Sequence, residues 1–268
     1  MGEGLIVRPL VCGHCGTRLP IMGQFVTFRC STCFRYWVLT PEGLEPVTVY
    51  RVLPPEDFTD EPISLPFWII EVNTTELRRQ IETVRTELCD TAKTIVSTNI
   101  DLEKESELDD LIYRNSDLDR RMKKVQFISE ASNTKKIPAK AELNYLLRRI
   151  EGPGQFYIYV PAFLSNNTYA YLKIGRLFTQ GQPSFRAEKS SGTGGAVLCA
   201  LQADEAESLM DFIFFATLPD SMQRNGDFLK KIHLEPSGPP RLAEFPFEQR
   251  GSSLVSLIGG FHISSRLV

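Results

Sequence analysis

Four cysteines fall in two matched pairs near the start of the sequence, Cys12-Gly13-His14-Cys15 and Cys30-Ser31-Thr32-Cys33. A lone C-x-x-C is the arrangement of a redox dithiol, which needs the pair to open a helix after a buried strand. Here Gly16-Thr17-Arg18-Leu19-Pro20 follows the first pair, a poor helix start with proline close behind. Redox chemistry would also leave the second pair without a use. Two C-x-x-C pairs separated by fourteen residues suit metal ligation instead. Each pair curls two sulfurs toward one point, and two such knuckles complete a tetrahedron of thiolates, the preferred shell of Zn²⁺. An iron–sulfur or other metal centre would use the same four ligands, whereas disulfides fit poorly because nothing indicates export.

The expected ligands are therefore Cys12, Cys15, Cys30 and Cys33, holding one structural Zn²⁺. With four protein sulfurs in place the metal keeps no open position for water or substrate, which argues against a catalytic role. His14 lies inside the first knuckle and is expected as an exposed loop side chain. Binding of such a metal contributes on the order of 10–16 kcal/mol, enough to decide whether a small module folds. The remaining cysteines, Cys89 and Cys199, read as packing residues with nothing nearby to activate them.

Elements that could position the ligands surround them. Gln24–Arg29 is rich in β-formers and leads into Cys30, and Phe34–Leu39 continues out of the second knuckle as a strand. Thr40-Pro41-Glu42-Gly43 is a turn, and Pro46–Val52 a returning strand. On these residues, 8–52 resembles a zinc ribbon of the broad type found in general transcription factors, RNA polymerase subunits and many bacterial proteins. The resemblance implies fold and metal; ribbons serve as nucleic-acid readers, protein-docking knobs or caps. Residues 1–50 hold four arginines against three glutamates, and a Zn²⁺–thiolate centre adds about −2. The module is then near neutral, weak ground for phosphate binding; Phe25, Phe28, Phe34, Tyr36 and Trp37 have rings that could stack bases, but they are expected chiefly to pack it or dock it on a neighbour.

The domain organisation expected is a ribbon over 1–52, a proline-rich acidic linker over 53–62, and a β-rich domain over 63–268 with a helical arm at about 73–150. Ile63–Val72 is a buried-strand candidate. Asn73 and Glu76 stand at capping-box spacing before a stripe of Leu77, Ile81, Val84, Leu88, Ala92 and Ile95. A second stripe runs through Leu108, Leu111, Ile112, Leu118, Met122 and Val125, so the pair suits a long helical hairpin or coiled coil. A third helix carries Leu143, Leu146, Leu147 and Ile150 and stops at Gly152-Pro153-Gly154. Strands are expected at 155–160, 169–174 and 196–201, a helix at about 203–217, and short strands from Leu242 onward. Leu65-Pro66-Phe67, Val160-Pro161-Ala162 and Phe245-Pro246-Phe247 each set proline behind an apolar residue, as at strand edges or bends. This triple motif behind a zinc ribbon is similar to that of uncharacterised bacterial zinc-ribbon proteins, and implies a β-rich domain interrupted by helices. The fold class expected is α+β.

No catalytic constellation is legible. His14, His233 and His262 have no paired-ligand spacing, Ser190–Gly195 lacks the Gly-Lys-Ser/Thr ending of a phosphate loop, and there is no G-x-S-x-G. Hydrophobic residues make up 42% of the chain, and the net charge of −3 supplies no general attraction to nucleic acid or anionic membranes. No signal-peptide pattern and no apolar run near 20 residues is visible, so a cytoplasmic protein is expected. The leading expectation is a non-catalytic zinc-binding interaction or scaffold protein that docks protein partners through the ribbon and helical arm, with self-association through 73–131. The alternative is a zinc-ribbon nucleic-acid-binding factor related to transcription, and third an enzyme with a site built from distant residues.

Overall fold

The computed structural model describes residues 9–101, 140–151, 155–165, 168–190, 197–223 and 226–265, with the side chains of the first helix described through Glu87. Two units are distinguished. One takes its described residues from Met1–Asn73, Gln155–Thr217 and Pro236–Val268, the other from Thr74–Gly154 and Leu218–Glu235. Helices and sheets occur together, and an antiparallel three-stranded sheet lies at the N-terminal end, so the fold is α+β.

That small sheet comprises β1 (Thr27–Arg29), β2 (Tyr36–Thr40) and β3 (Gly43–Val47), with Phe28 opposite Trp37 and Leu39 opposite Leu44. The strand expected over 46–52 is divided at Thr48. Beyond that residue β4 (Val49–Val52) enters a second, seven-stranded sheet, pairing parallel with β8 (Arg241–Arg250) and antiparallel with β7 (Ala187–Lys189). The other neighbour of β8 is β5 (Ile63–Glu71), which also pairs β6 (Tyr157–Pro161); β9 (Ser253–Ser256) and β10 (His262–Ser264) follow from the C-terminal half of β8.

The three proline motifs lie on the adjacent strands β6, β5 and β8. Pro66 and Pro246 each sit where one neighbouring strand stops, and Pro161 is the last residue of β6. Pro66 is one residue past the last β5–β6 pair, Phe67 opposite Pro161; its carbonyl accepts from Ala162 N–H at 2.9 Å, and it has no N–H to return. The Ala162 carbonyl instead accepts from Ala200 N–H at 2.6 Å. Pro246 likewise accepts from Leu257 one residue beyond the β8–β9 pairing. The missing donors fall at strand ends, where no ladder bond is lost.

One face of this sheet carries an aromatic core. Phe67 and Phe178 rings lie 4.7 Å apart, Phe67 and Phe245 5.2 Å, and Phe178 and Phe245 5.3 Å, with Phe247, Phe163 and Tyr159 around them. Phe178 comes from α3 (Thr168–Gly181), which replaces the strand expected at 169–174. Tyr169–Ile174 alternates like a strand over six residues, but Ala170, Ile174 and Phe178 are all fully buried, a helical stripe that emerges only over a longer window. Gly175 lets α3 approach: a Cβ there would meet Tyr159 O at 2.9 Å and Ile213 Cδ1 at 2.8 Å. At its end α3 guards the outer edge of β6. Gln182, at φ +41°, turns back so that its amide accepts from Tyr157 N–H at 3.0 Å and donates to Tyr157 O at 2.6 Å, while Thr179 Oγ1 accepts from Tyr159 N–H. Side chains thus satisfy an edge that would otherwise invite another strand. The expected strand over 196–201 is extended chain from Val197 that joins no sheet, because its bonds go to several different elements. The helix expected over 203–217 is interrupted at Leu209, giving α4 (Ala203–Ser208) and α5 (Met210–Ala216).

In the other unit, α1 (Thr74–Asp101) buries Leu77, Ile81 and Val84, the first half of the stripe expected, whose Leu88, Ala92 and Ile95 side chains lie outside the described set, and α2 (Lys140–Ile150) buries Leu143, Leu146, Leu147 and Ile150 as expected. Arg78 meets Glu151 at 3.1 Å and Arg85 meets Asn144 at 3.4 Å, so the helices run antiparallel. Short helices α6 (Asp220–Gln223) and α7 (Gly226–Leu229) add Met222 and Phe228 to the core. The second helical stripe of the expected hairpin, Leu108 to Val125, lies outside the described residues, as does most of Ser190–Gly195. Among the described residues no helix is long and apolar enough to cross a membrane.

Candidate metal centre

Two hairpin tips carry the cysteines, and their backbones repeat one another. In the first, Cys12 N–H donates to Thr17 O at 2.8 Å and Gly16 N–H to Cys12 O at 2.9 Å. In the second, Cys30 N–H donates to Arg35 O at 2.9 Å and Phe34 N–H to Cys30 O at 3.0 Å. Each turn closes through a left-handed residue after its second cysteine, Gly16 at φ +74° and Phe34 at φ +60°. Glycine adopts that conformation freely; for phenylalanine it costs about 1–2 kcal/mol. No helix follows either pair, which removes the setting a redox dithiol requires.

The four sulfurs converge. Cys12, Cys15, Cys30 and Cys33 place their Sγ atoms within 4.8 Å of one another, with Cys12–Cys33 at 3.5 Å and Cys15–Cys30 at 3.4 Å. Those separations are far beyond a disulfide of about 2.05 Å and bracket the edge of about 3.8 Å that a Zn–S length of about 2.3 Å gives a tetrahedron. The donor set is thus compatible with a metal ion such as zinc.

Backbone N–H groups prepare the sulfurs for charge. Burial opposes ionisation of Cys30, yet the N–H groups of Cys33 and Thr32 and the side chains of Cys15 and Cys33 outweigh it and hold the thiol down to about 6. Cys12 is treated alike: burial raises it, and the N–H groups of Cys15 and His14 with the side chains of Cys33 and Cys15 bring it below its ordinary value. Cys33 goes the other way. The N–H of Arg35 favours its thiolate, but burial and the three neighbouring sulfurs push it up to about 12. Four thiolates cannot share one point without a cation between them, and a divalent ion there reverses the repulsion.

A small core backs the centre: Cys12, Leu19, Phe28, Cys30 and Trp37, with Leu10, Leu39 and Leu44 at its margin. The Trp37 ring lies against the first knuckle so closely that a Cβ on Gly13 would stand 2.7 Å from it. The tips are tied by Thr17 and Thr32, whose hydroxyls meet at 2.9 Å. Beside the second tip, Phe34 is 50% exposed and the Arg29 guanidinium stands 5.0 Å from its ring centroid.

The small sheet beside the cysteine cluster is tied to the rest of the same unit. Thr27, buried in β1, donates from Oγ1 to Val197 O at 2.6 Å and accepts from Cys199 N–H at 3.2 Å. Val26 N–H donates to Cys199 O at 2.8 Å, and the hydroxyls of Tyr36 and Ser190 meet at 3.1 Å. The same extended segment accepts the Trp68 indole N–H at Leu201 O, 2.8 Å away.

His14 is exposed and outside the cluster, as expected; His233 is exposed in the helical unit and His262 exposed on β10. Cys199 is buried and its thiol donates to Leu201 O at 3.2 Å, while burial pushes it up to about 12, so it is inert packing. Cys89 lies in the part of α1 whose side chain is outside the described set. The roles of Thr27, Gly13 and Phe34 were not legible from spacing; the unlike residues Gly16 and Phe34 after matched cysteine pairs were the available signal. Comparison of the chain with protein families, with characterised proteins and with solved structures finds no match in any of the three.

Proposed function

We propose that this chain is a non-catalytic zinc-binding interaction protein whose N-terminal module is a zinc ribbon holding one structural Zn²⁺ on Cys12, Cys15, Cys30 and Cys33. The observation that carries this reading is the convergence of four sulfurs within 4.8 Å on two like-shaped knuckles, each aiming backbone N–H groups at its first cysteine. A metal held so keeps no open position for substrate, which is why the reading is structural. Clasping by Thr27 and Val26 supports a module that presents a fixed surface. The antiparallel α1–α2 pair supports a helical arm for docking protein partners or a second copy.

Elemental analysis of the purified full chain tests the metal half. One zinc per chain is expected, falling below about a tenth of that in Cys30→Ser; a metal-free, folded protein refutes it. Sedimentation of the full chain over a concentration series tests self-association, and a mass that stays at one chain throughout refutes that part.

A further inference from the structure

The two knuckles differ at one point that their shared backbone makes plain. At the left-handed position the first has Gly16 and the second Phe34, whose ring stays half-exposed instead of joining the core behind the metal. A residue set in an unfavourable conformation and then offered to solvent contributes little to folding, and such outliers point to a surface role.

The ring is not alone. The Arg29 guanidinium lies against it, Arg35 follows it as an exposed side chain, and exposed Arg18 follows Thr17, whose hydroxyl joins the two tips through Thr32. Between Pro9 and Pro41 the sequence has these three arginines and no carboxylate. Of the module's next acids, Glu42 lies at the other end of the small sheet and Glu45 halfway along it. Glu42 is in the β2–β3 turn and Glu45 opposite Val38 in the middle of β2, whose five residues span about 13 Å. With a Zn²⁺–thiolate centre of about −2 the metal end carries about +1, its three arginines standing at the surface around the centre, while the turn end is acidic.

We propose that this metal-end face binds single-stranded nucleic acid, a base stacking on Phe34 while Arg29, Arg35 and Arg18 meet the flanking phosphates. Exposed aromatic rings accept any base face, and guanidinium groups track the backbone without reading sequence. Double-stranded nucleic acid keeps its bases stacked inside and offers Phe34 nothing to receive. The inference rests on the zinc reading, since the metal sets the two tips side by side.

The test uses the full chain, its zinc content measured in every sample, with labelled oligothymidylate and oligouridylate of about 15 nucleotides and a duplex of equal length. Fluorescence anisotropy at about 50 mM salt is expected to show binding to one or both single strands in preference to duplex. The slope of log affinity against log salt is expected near −2, from three phosphate contacts at about 0.7 each. Phe34→Ala is expected to weaken binding about five- to hundredfold with zinc content unchanged. Phe34→Trp should retain binding. Phe34→Gly, which the backbone accommodates, should lose it while folding normally. A zinc-loaded chain that ignores the single strands, prefers duplex, or binds equally well without the Phe34 ring overturns this proposal and leaves the metal reading standing. Protein without zinc overturns both.

Discussion

Thr27→Val keeps the shape of a buried residue and removes the hydroxyl by which β1 grips the segment around Cys199. The Thr27 Oγ1 donates at 2.6 Å to Val197 O and accepts at 3.2 Å from Cys199 N–H, and Thr27, Val197 and Cys199 are all at most 4% exposed. Water therefore cannot replace the lost partner. A buried polar group left unpaired costs about 1–3 kcal/mol, and a carbonyl tolerates the loss better than an N–H, so the two groups together place the penalty at about 2–4 kcal/mol. Hydrogen exchange at the Cys199 amide reads this directly. At about 1.36 kcal/mol per factor of ten, Thr27→Val should speed exchange there about 30- to 1,000-fold. Thr27→Ser, which keeps the hydroxyl and gives up one methyl worth about 0.8 kcal/mol, should speed it much less. Zinc content should not change, because Thr27 is not a ligand. Exchange within about threefold of the parent in Thr27→Val would refute the idea that this hydroxyl fastens the small sheet to the segment around Cys199.

Three other outcomes are expected. Glu244 on β8 is nearly buried with one carboxylate oxygen unpartnered, and burial raises its pKa more than Arg51, 3.9 Å away, lowers it. Its stabilising share is therefore full below the ordinary carboxyl range and lost as pH rises through the raised value. Glu244→Gln should melt higher than the parent at neutral pH, the gap closing in acid; a constant gap from pH ~4 to 8 contradicts this. Gly175→Ala should cost about 1–3 kcal/mol, because the new methyl meets Tyr159 O and Ile213 Cδ1 below 3 Å, and an unchanged melting temperature would show that α3 can move aside. Gln182→Ala removes both bonds to Tyr157 and keeps the left-handed backbone; exchange at the Tyr157 amide should rise about tenfold, and unchanged protection would mean the β6 edge is closed some other way.

Much of the site was readable because metal ligation is local. Matched C-x-x-C pairs determine which atoms can converge, and no distant residue is needed to complete the set. The long-period stripes of α1 and α2 were readable for a similar reason: Leu77, Ile81 and Val84 repeat often enough to outvote local propensity. Short windows misled. Tyr169–Ile174 offers aromatic and β-branched residues in alternation, and only Phe178 and the packing of Ala170 and Ile174 beside it declare a helix. Val197–Ala200 looks like a strand, but a strand needs a partner of matching length, and this segment divides its bonds among Val26, Thr27 and Ala162. Such partners lie more than thirty residues away in sequence, beyond any local rule. The proline motifs were legible as strand edges or bends, but their gathering on three adjacent strands, with Pro66 and Pro246 inside theirs, was not.

Thr48 is the single residue between β3 in the small sheet and β4 in the large one, where β4 is hydrogen-bonded to both β7 and β8. A cut placed in the proline-rich stretch after Val52 would carry away a strand of the larger sheet and leave Ala187–Lys189 without a neighbour. The cysteine-bearing module is thus not a cassette that recombination could lift out and graft elsewhere. Insertions at Thr48 would leave the pairing within either sheet intact, while the bonds of Val26 and Thr27 to Val197 and Cys199 would still hold the small sheet in place, so its setting is fixed twice, once through the chain and once across it.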